Sequence, residues 1–187
     1  RSGAVPKRSH ARARIIHMNS NSILVSLFKY KAWANAELHA ALEKFDAQQH
    51  PNAFRAMLHT LDHANVVDRI FRSHLDGTTV PSFKATHSEP TPSLSELRET
   101  VKSTDDWYLQ FASNISAERL KHRVHFTFTD GDKGSMSCEE ILLHVITHSG
   151  YHRGSIGQML EDMGTNSPPD SLTKFLHRQE PERRLSA

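Results

Sequence analysis

Residues 141–154 read ILLHVITHSGYHRG, with histidines at 144, 148 and 152. They recur every four residues along a segment whose aliphatic residues have helical spacing. Successive side chains on a helix are about 100° apart. With His148 at the origin, Ile141, Val145, His152, Ile156, Met159 and Met163 fall within roughly 80° on one side, a stripe that must face an apolar interior. His148 and His152 lie inside this stripe, and His144 sits about 40° beyond its other edge. Each ring nitrogen of a buried imidazole needs a partner, and an unmet one costs about 1–3 kcal/mol. A lone core histidine meets that need with a carbonyl or carboxylate. Two on successive turns also lie close enough, about 6 Å apart, to converge on one ion at about 2.0–2.1 Å. The segment therefore demands a helical core and offers two readings of its histidines.

Other stretches supply the partners for such a helix. Residues 22–45 favour helix and carry Leu24, Leu27, Phe28, Trp33, Leu38 and Leu42. A second helix is predicted over 52–76, stopped by Gly77. TTVPSFKATHSEPTP, at 78–92, has three prolines and reads as a long ordered loop. Ser93 and Glu96 have capping-box spacing and open a third helix to about 114, while Ser137 and Glu140 open the fourth, which ends near Met163. Between them Val124, Phe126 and Phe128 alternate with polar residues before DGDKG, which predicts a short β-hairpin, marginal unless packed on something. A short helical turn is expected around 171–177. The expected fold is all-α: a four-helix bundle over 19–180, with a crossover carried by the long loop or the hairpin.

Charge narrows the function classes. The net charge is +2, yet residues 1–17 contain five basic residues and no acid. The remainder has 18 Lys and Arg against 21 Asp and Glu, a balance of −3. Residues 1–18 read as a disordered basic extension or cloning remnant ahead of Met18, and 181–187 as a disordered tail. The acidic body argues against nucleic acid as a partner, and no apolar run approaches the roughly 18 residues a membrane helix needs. A single cysteine, Cys138, forbids an intrachain disulfide and suits a reducing cytoplasm. It lies about 15 Å along the axis from His148, which argues against a nucleophile serving that site.

A third metal ligand is sought on the second helix, in LHTLDHANVVDRIF. His63 shares a face with Val66, Val67, Ile70 and His74, with His59 one turn earlier at its edge. The expectation is His63 opposite His148 and His152. Three neutral imidazoles suit Zn, Ni, Fe or Cu rather than Mg or Ca, and three protein ligands leave a coordination position open. Asp62 and Asp68 read as solvated surface carboxylates rather than outer partners of a ligand. His10, His39, His50, His87, His122 and His177 sit in polar or terminal settings and need no special account. Gly150, Gly154 and Gly157 align on the back of the fourth helix, where another backbone, in the same chain or across a dimer, has room to approach. Tyr151 and Arg153 point away from the ligands.

LFKYKAWAN, DHANVVDRIF and HVITHSGYHRG together resemble the DinB (DNA-damage-inducible) family of metal-binding four-helix bundles, over roughly residues 20–178. The resemblance implies metal ligands at His63, His148 and His152, a helix order with a crossover, a homodimer and a link to stress or damage response. It also implies a metal-dependent enzyme on a small molecule, either a thiol S-transferase using a low-molecular-weight thiol or a related hydrolase. A non-catalytic metal-binding or stress-sensing bundle is the alternative. The family commonly continues HRGQ where this chain has HRGS, with Ser155 in place of the amide. That difference bears on a local hydrogen bond more than on the ligands.

Overall fold

A computed structural model describes residues 20–78 and 85–184. The basic segment 1–18, the centre of the second loop and residues 185–187 lie outside the described residues. In chain order the elements are α1 (Ser20–Leu42), α2 (Pro51–Asp76), α3 (Leu94–Asn114), α4 (Ala117–Lys121), β1 (Arg123–Thr127), β2 (Lys133–Ser137), α5 (Cys138–Asp162) and α6 (Leu172–Gln179). A single 3₁₀ turn, Pro181–Arg183, then extends the folded chain beyond residue 180, where the tail was expected to begin. Among the described residues no helix is long and apolar enough to cross a membrane.

Local chemistry sets the boundaries. Pro51 occupies the first turn of α2, where its missing N–H costs nothing, and Gly77 ends that helix at φ 68°. Ser93 with Glu96, and Ser137 with Glu140, form reciprocal capping boxes on α3 and α5. The five-residue α4, capped by Ser116, was not foreseen in the sequence.

The main packing pairs are α1 with α3 and α2 with α5. Phe28 stacks on Tyr108 while Glu43 pairs with Arg98, so α1 and α3 run antiparallel. Asn65 meets Thr100 and the Asp68 carbonyl accepts from Tyr108, so α2 and α3 run parallel. Parallel neighbours need a connection that travels the length of the bundle. Residues 77–93 make that connection, and their described part from residue 85 lies alongside α2, where Ser88 donates to Asp62 from both its N–H and its hydroxyl. That part therefore acts as a fifth wall of the bundle.

The hairpin pairs β1 with β2 antiparallel, Phe126 opposite Gly134. A Cβ on Gly134 would lie 2.6 Å from Phe126 Cε2 and 2.8 Å from Phe128 Cε2, so any larger residue would have to push those rings aside. The ribbon gains its support from α2: Phe126 meets Phe71 edge-on at 5.5 Å and His74 at 5.4 Å. At the other end, Phe175 of α6 packs on Tyr30 and Trp33 of α1.

The interior is divided. One apolar cluster gathers Leu24, Phe28, Phe71, Tyr108, Ile141 and Val145, and a second gathers Leu38, Met57, Leu61, Leu97, Ile156 and Leu160. Between them runs a buried polar belt. Lys31, only 1% exposed, reaches Asp68 at 2.8 Å and Asp105 at 2.5 Å. Asn35 links Asp105 to Arg153, and Arg153 forms a two-pronged pair with Asp170. Asp62 and Asp68 are thus buried, at 1% and 3% exposure, which corrects the expectation of solvated carboxylates.

Candidate metal centre

His63, His148 and His152 converge where α2 packs against α5, beside the polar belt. Each offers a ring nitrogen, and the three atoms all lie within 4.8 Å of one another. The His63 ring centroid is 5.3 Å from that of His148 and 4.7 Å from that of His152. The Nε2 atoms of His148 and His152 face each other at 3.1 Å. Ligands held about 2.0–2.1 Å from one ion are separated by about 3.0–3.4 Å, so this spacing suits a shared cation. All three residues are half-buried.

The crossover fixes one ligand from behind. His63 Nδ1 lies 2.8 Å from the Thr86 carbonyl oxygen. A carbonyl can only accept, so Nδ1 carries the proton and Nε2 keeps its lone pair. This is the outer-shell hydrogen bond that sets tautomer and ring orientation at metal-binding histidines. No sequence signal marked Thr86, because the contact depends on where the 77–93 segment returns. The carboxylates once weighed for this role serve elsewhere: Asp62 receives Ser88, and Asp68 receives Lys31 and Ser149.

The remaining candidates separate cleanly. His144 stacks on His148 at 5.2 Å and lies 4.9 Å from Phe71, outside the ligand group. His59 is exposed and its ring faces His87 at 5.1 Å. Tyr151 is 73% exposed. Arg153 does point away from the trio, but into the belt rather than into solvent. Cys138 is fully buried, and burial pushes its thiol pKa up, the opposite of an activated nucleophile. His39, expected in a polar setting, is buried with neither ring nitrogen partnered, and burial followed by nearby Arg98 lowers its pKa. Among the described residues, Gly154 has no foreign atom within 4 Å of an added Cβ, and Gly150 meets only Arg153. Gly157 meets Ser167 of the following loop at 3.4 Å, so the glycine row receives a loop side chain at one end and no described helix of the same chain. Ser155 makes a long hydrogen bond to the Tyr151 carbonyl, 3.4 Å, and leaves the ligands alone.

The match of one family model, the DinB family, runs over residues 18–184. The chain belongs to the DinB family. Protein DinB of Bacillus subtilis (strain 168) is 24% identical to it over 166 residues, covering 84% of this chain and 95% of that protein. The DinB family is metal-binding, and the three-histidine group could hold an ion of that kind.

The donor set itself fits a divalent transition ion. It contains imidazoles and no carboxylate, which disfavours Mg and Ca. His148 Nδ1 is buried without a partner, a cost that a stabilised Nε2 would help offset. Burial first, then the neighbouring His152, His144, His63 and Lys31, push the His148 pKa down to about 4. Burial and His63 lower His152 as well. Both rings therefore keep their lone pairs at neutral pH.

The sign of the pH effect follows. A histidine at about 4 in the metal-free fold and about 6.5 when unfolded binds fewer protons in the folded state. Its contribution to stability is complete above pH 6.5 and is lost as the pH falls toward 4. Urea unfolding of the metal-free chain should show stability declining through this window, with a shallower decline in His148→Leu. Identical slopes in the two proteins would remove His148 as the responsible group.

Proposed function

We propose that the protein is a metal-dependent enzyme acting on a small molecule, a thiol S-transferase or a related hydrolase, with Zn, Ni or Fe held by His63, His148 and His152. The observation that carries this reading is the convergence of three protein nitrogens within 4.8 Å, with no fourth His, Cys, Asp or Glu among the described residues joining them. Three protein ligands leave a position for an exogenous group, as catalytic rather than structural sites do. A divalent ion held there supplies Lewis acidity, which makes a thiol or water a better nucleophile near neutral pH.

The chain's own residues prepare that position. His63 is oriented through Thr86, His148 and His152 are one helical turn apart, and the buried belt below stiffens the two helices that carry them. A low-molecular-weight thiol is the co-substrate this reading calls for. A homodimer in the cytoplasm and a role in stress or damage response belong to the same proposal, with neither nucleic acid nor membrane as partner.

The test is turnover. The chain, loaded in turn with Zn²⁺, Ni²⁺ and Fe²⁺, is assayed against a panel of low-molecular-weight thiols with electrophilic acceptors, and against ester and amide substrates. Metal-dependent turnover that disappears with chelator is expected. Inactivity across the whole panel, with metal still bound stoichiometrically, would favour a non-catalytic bundle in which the ion satisfies buried histidines or senses stress.

A further inference from the structure

Next to the histidine trio, α2, α5 and the hairpin enclose a cleft of about 990 Å³. Val67, Ile70, Phe71, Phe126, Phe128 and Met136 form its apolar walls. Its polar atoms come from hydroxyls, imidazoles and backbone. In a chain with 24% charged residues, not one Asp, Glu, Lys or Arg among the described residues lines this space. Pockets for small molecules have volumes of about 300–1,000 Å³ and are mostly apolar with a few polar groups.

Two of its walls also belong to the metal centre. Thr86 lines the cleft, and its carbonyl orients His63. His144 lines it too, and its ring stacks on His148. None of the three ligands lines the cleft itself, so it adjoins the histidine trio through Thr86 and His144. Gly134 helps shape the hairpin wall, since it lets the Phe126 and Phe128 rings lie across its Cα.

We propose that this cleft binds the uncharged aromatic or alkyl portion of the substrate and holds it beside the trio. The proposal rests on reading the trio as an enzyme's metal centre. The ligand class follows from charge. Low-molecular-weight thiols commonly carry carboxylates, and a carboxylate lying among the apolar walls, out of reach of the trio, would lose water without meeting a cation of the described lining residues. The cleft therefore takes the apolar electrophile and not the thiol.

The neutral fluorophore prodan serves as the probe, titrated into the full chain with and without Zn²⁺. One molecule per chain with blue-shifted emission is expected, displaced by neutral 2-acetylnaphthalene at least tenfold more effectively than by 2-naphthoate. Phe126→Ala should weaken binding at least tenfold. Because Phe126 is buried, Phe128→Asp provides the second variant; Phe128 is 47% exposed, so the fold tolerates the change, and a similar loss is expected. Co²⁺-loaded protein should broaden the ring protons of bound 2-acetylnaphthalene relative to Zn²⁺-loaded protein. Absence of prodan binding, equal competition by the carboxylate, unchanged binding in Phe128→Asp, or no broadening by bound Co²⁺ would each overturn the proposal. Zinc content of the same samples separates the two readings. A loaded chain that ignores prodan loses only the cleft, whereas a chain that binds prodan but takes up no divalent ion loses the enzyme reading and keeps the ligand class.

Discussion

His148→Ala is expected to abolish stoichiometric binding of a divalent transition ion that the wild-type chain, purified without a histidine tag, takes up at one per chain. His148 Nε2 lies 3.1 Å from His152 Nε2, and its ring adjoins His63. Truncation leaves two imidazoles on opposing helices with nothing to complete the set. Even a lost outer-shell partner costs roughly 10–100-fold in affinity, so a lost ligand should cost more. His144→Ala is the matched control: the same residue type, one turn away, stacked on His148 but outside the ligand group. It should retain the ion. Metal analysis by mass spectrometry, together with competition against a chelator, reads both variants. Equal retention of the ion by His148→Ala and wild type would remove this residue from the site, and a loss of equal size in His144→Ala would mean the effect is one of packing.

How much of this was legible before the structure depended on how local each signal is. The capping boxes at Ser93 and Ser137 are written within single helical turns and place α3 and α5 correctly. The α5 stripe found the helix but not the centre of its buried face: Met163 is exposed, His148 and His152 lie half-buried at the edge, and Ser149, Arg153 and Leu160 are buried. His63 was reachable because its face repeats with helical period. The hairpin's support was not, since the contact of Phe126 with Phe71 spans two elements distant in sequence. Thr86 was hidden for the same reason. The crossover was expected from the length of the second loop, but its path along α2, which places a carbonyl on His63, is a tertiary fact.

The buried belt is a different kind of miss. On α1 the residues Leu24, Phe28, Lys31, Asn35, Leu38 and Leu42 recur at alternating steps of four and three, and all are buried. Lys31 and Asn35 thus occupy positions where that period calls for apolar side chains. Asp105 interrupts the Leu97, Val101, Tyr108, Ala112 series on α3 in the same way, and Asp68 falls between Leu61 and Leu75 on α2. A cation on one core stripe and an anion on each of two others is a detectable pattern. It was overlooked because charged residues were read as evidence of solvent, which holds only where they lack partners inside.

The belt carries the second large effect. Lys31→Met should destabilise the fold by about 3–5 kcal/mol, the range for removing one partner of a buried ion pair. Burial alone would lower the Lys31 pKa, but Asp105 and Asp68 outweigh it and the net shift is upward, so Lys31 stays an ammonium. Burial raises Asp68 even against that charge, so one cation serves two acids that compete for it. Methionine fills much of the same space while leaving two carboxylates facing each other without a cation. The loss therefore measures charge rather than volume. The triple change Lys31→Met, Asp68→Leu, Asp105→Leu tests that reasoning, because a buried network replaced as a unit by apolar residues is often neutral in stability. Urea unfolding should find the triple variant well above Lys31→Met alone. Should the single change cost under about 1 kcal/mol, in the range of an exposed pair, the Lys31, Asp68 and Asp105 group would be wetter than its 1–4% exposures indicate. Should the triple variant be as unstable as the single, the defect would lie in packing, and the belt's hydrogen bonds through Ser149 and Asn35 would be what fixes α1, α3 and α5 around the histidines.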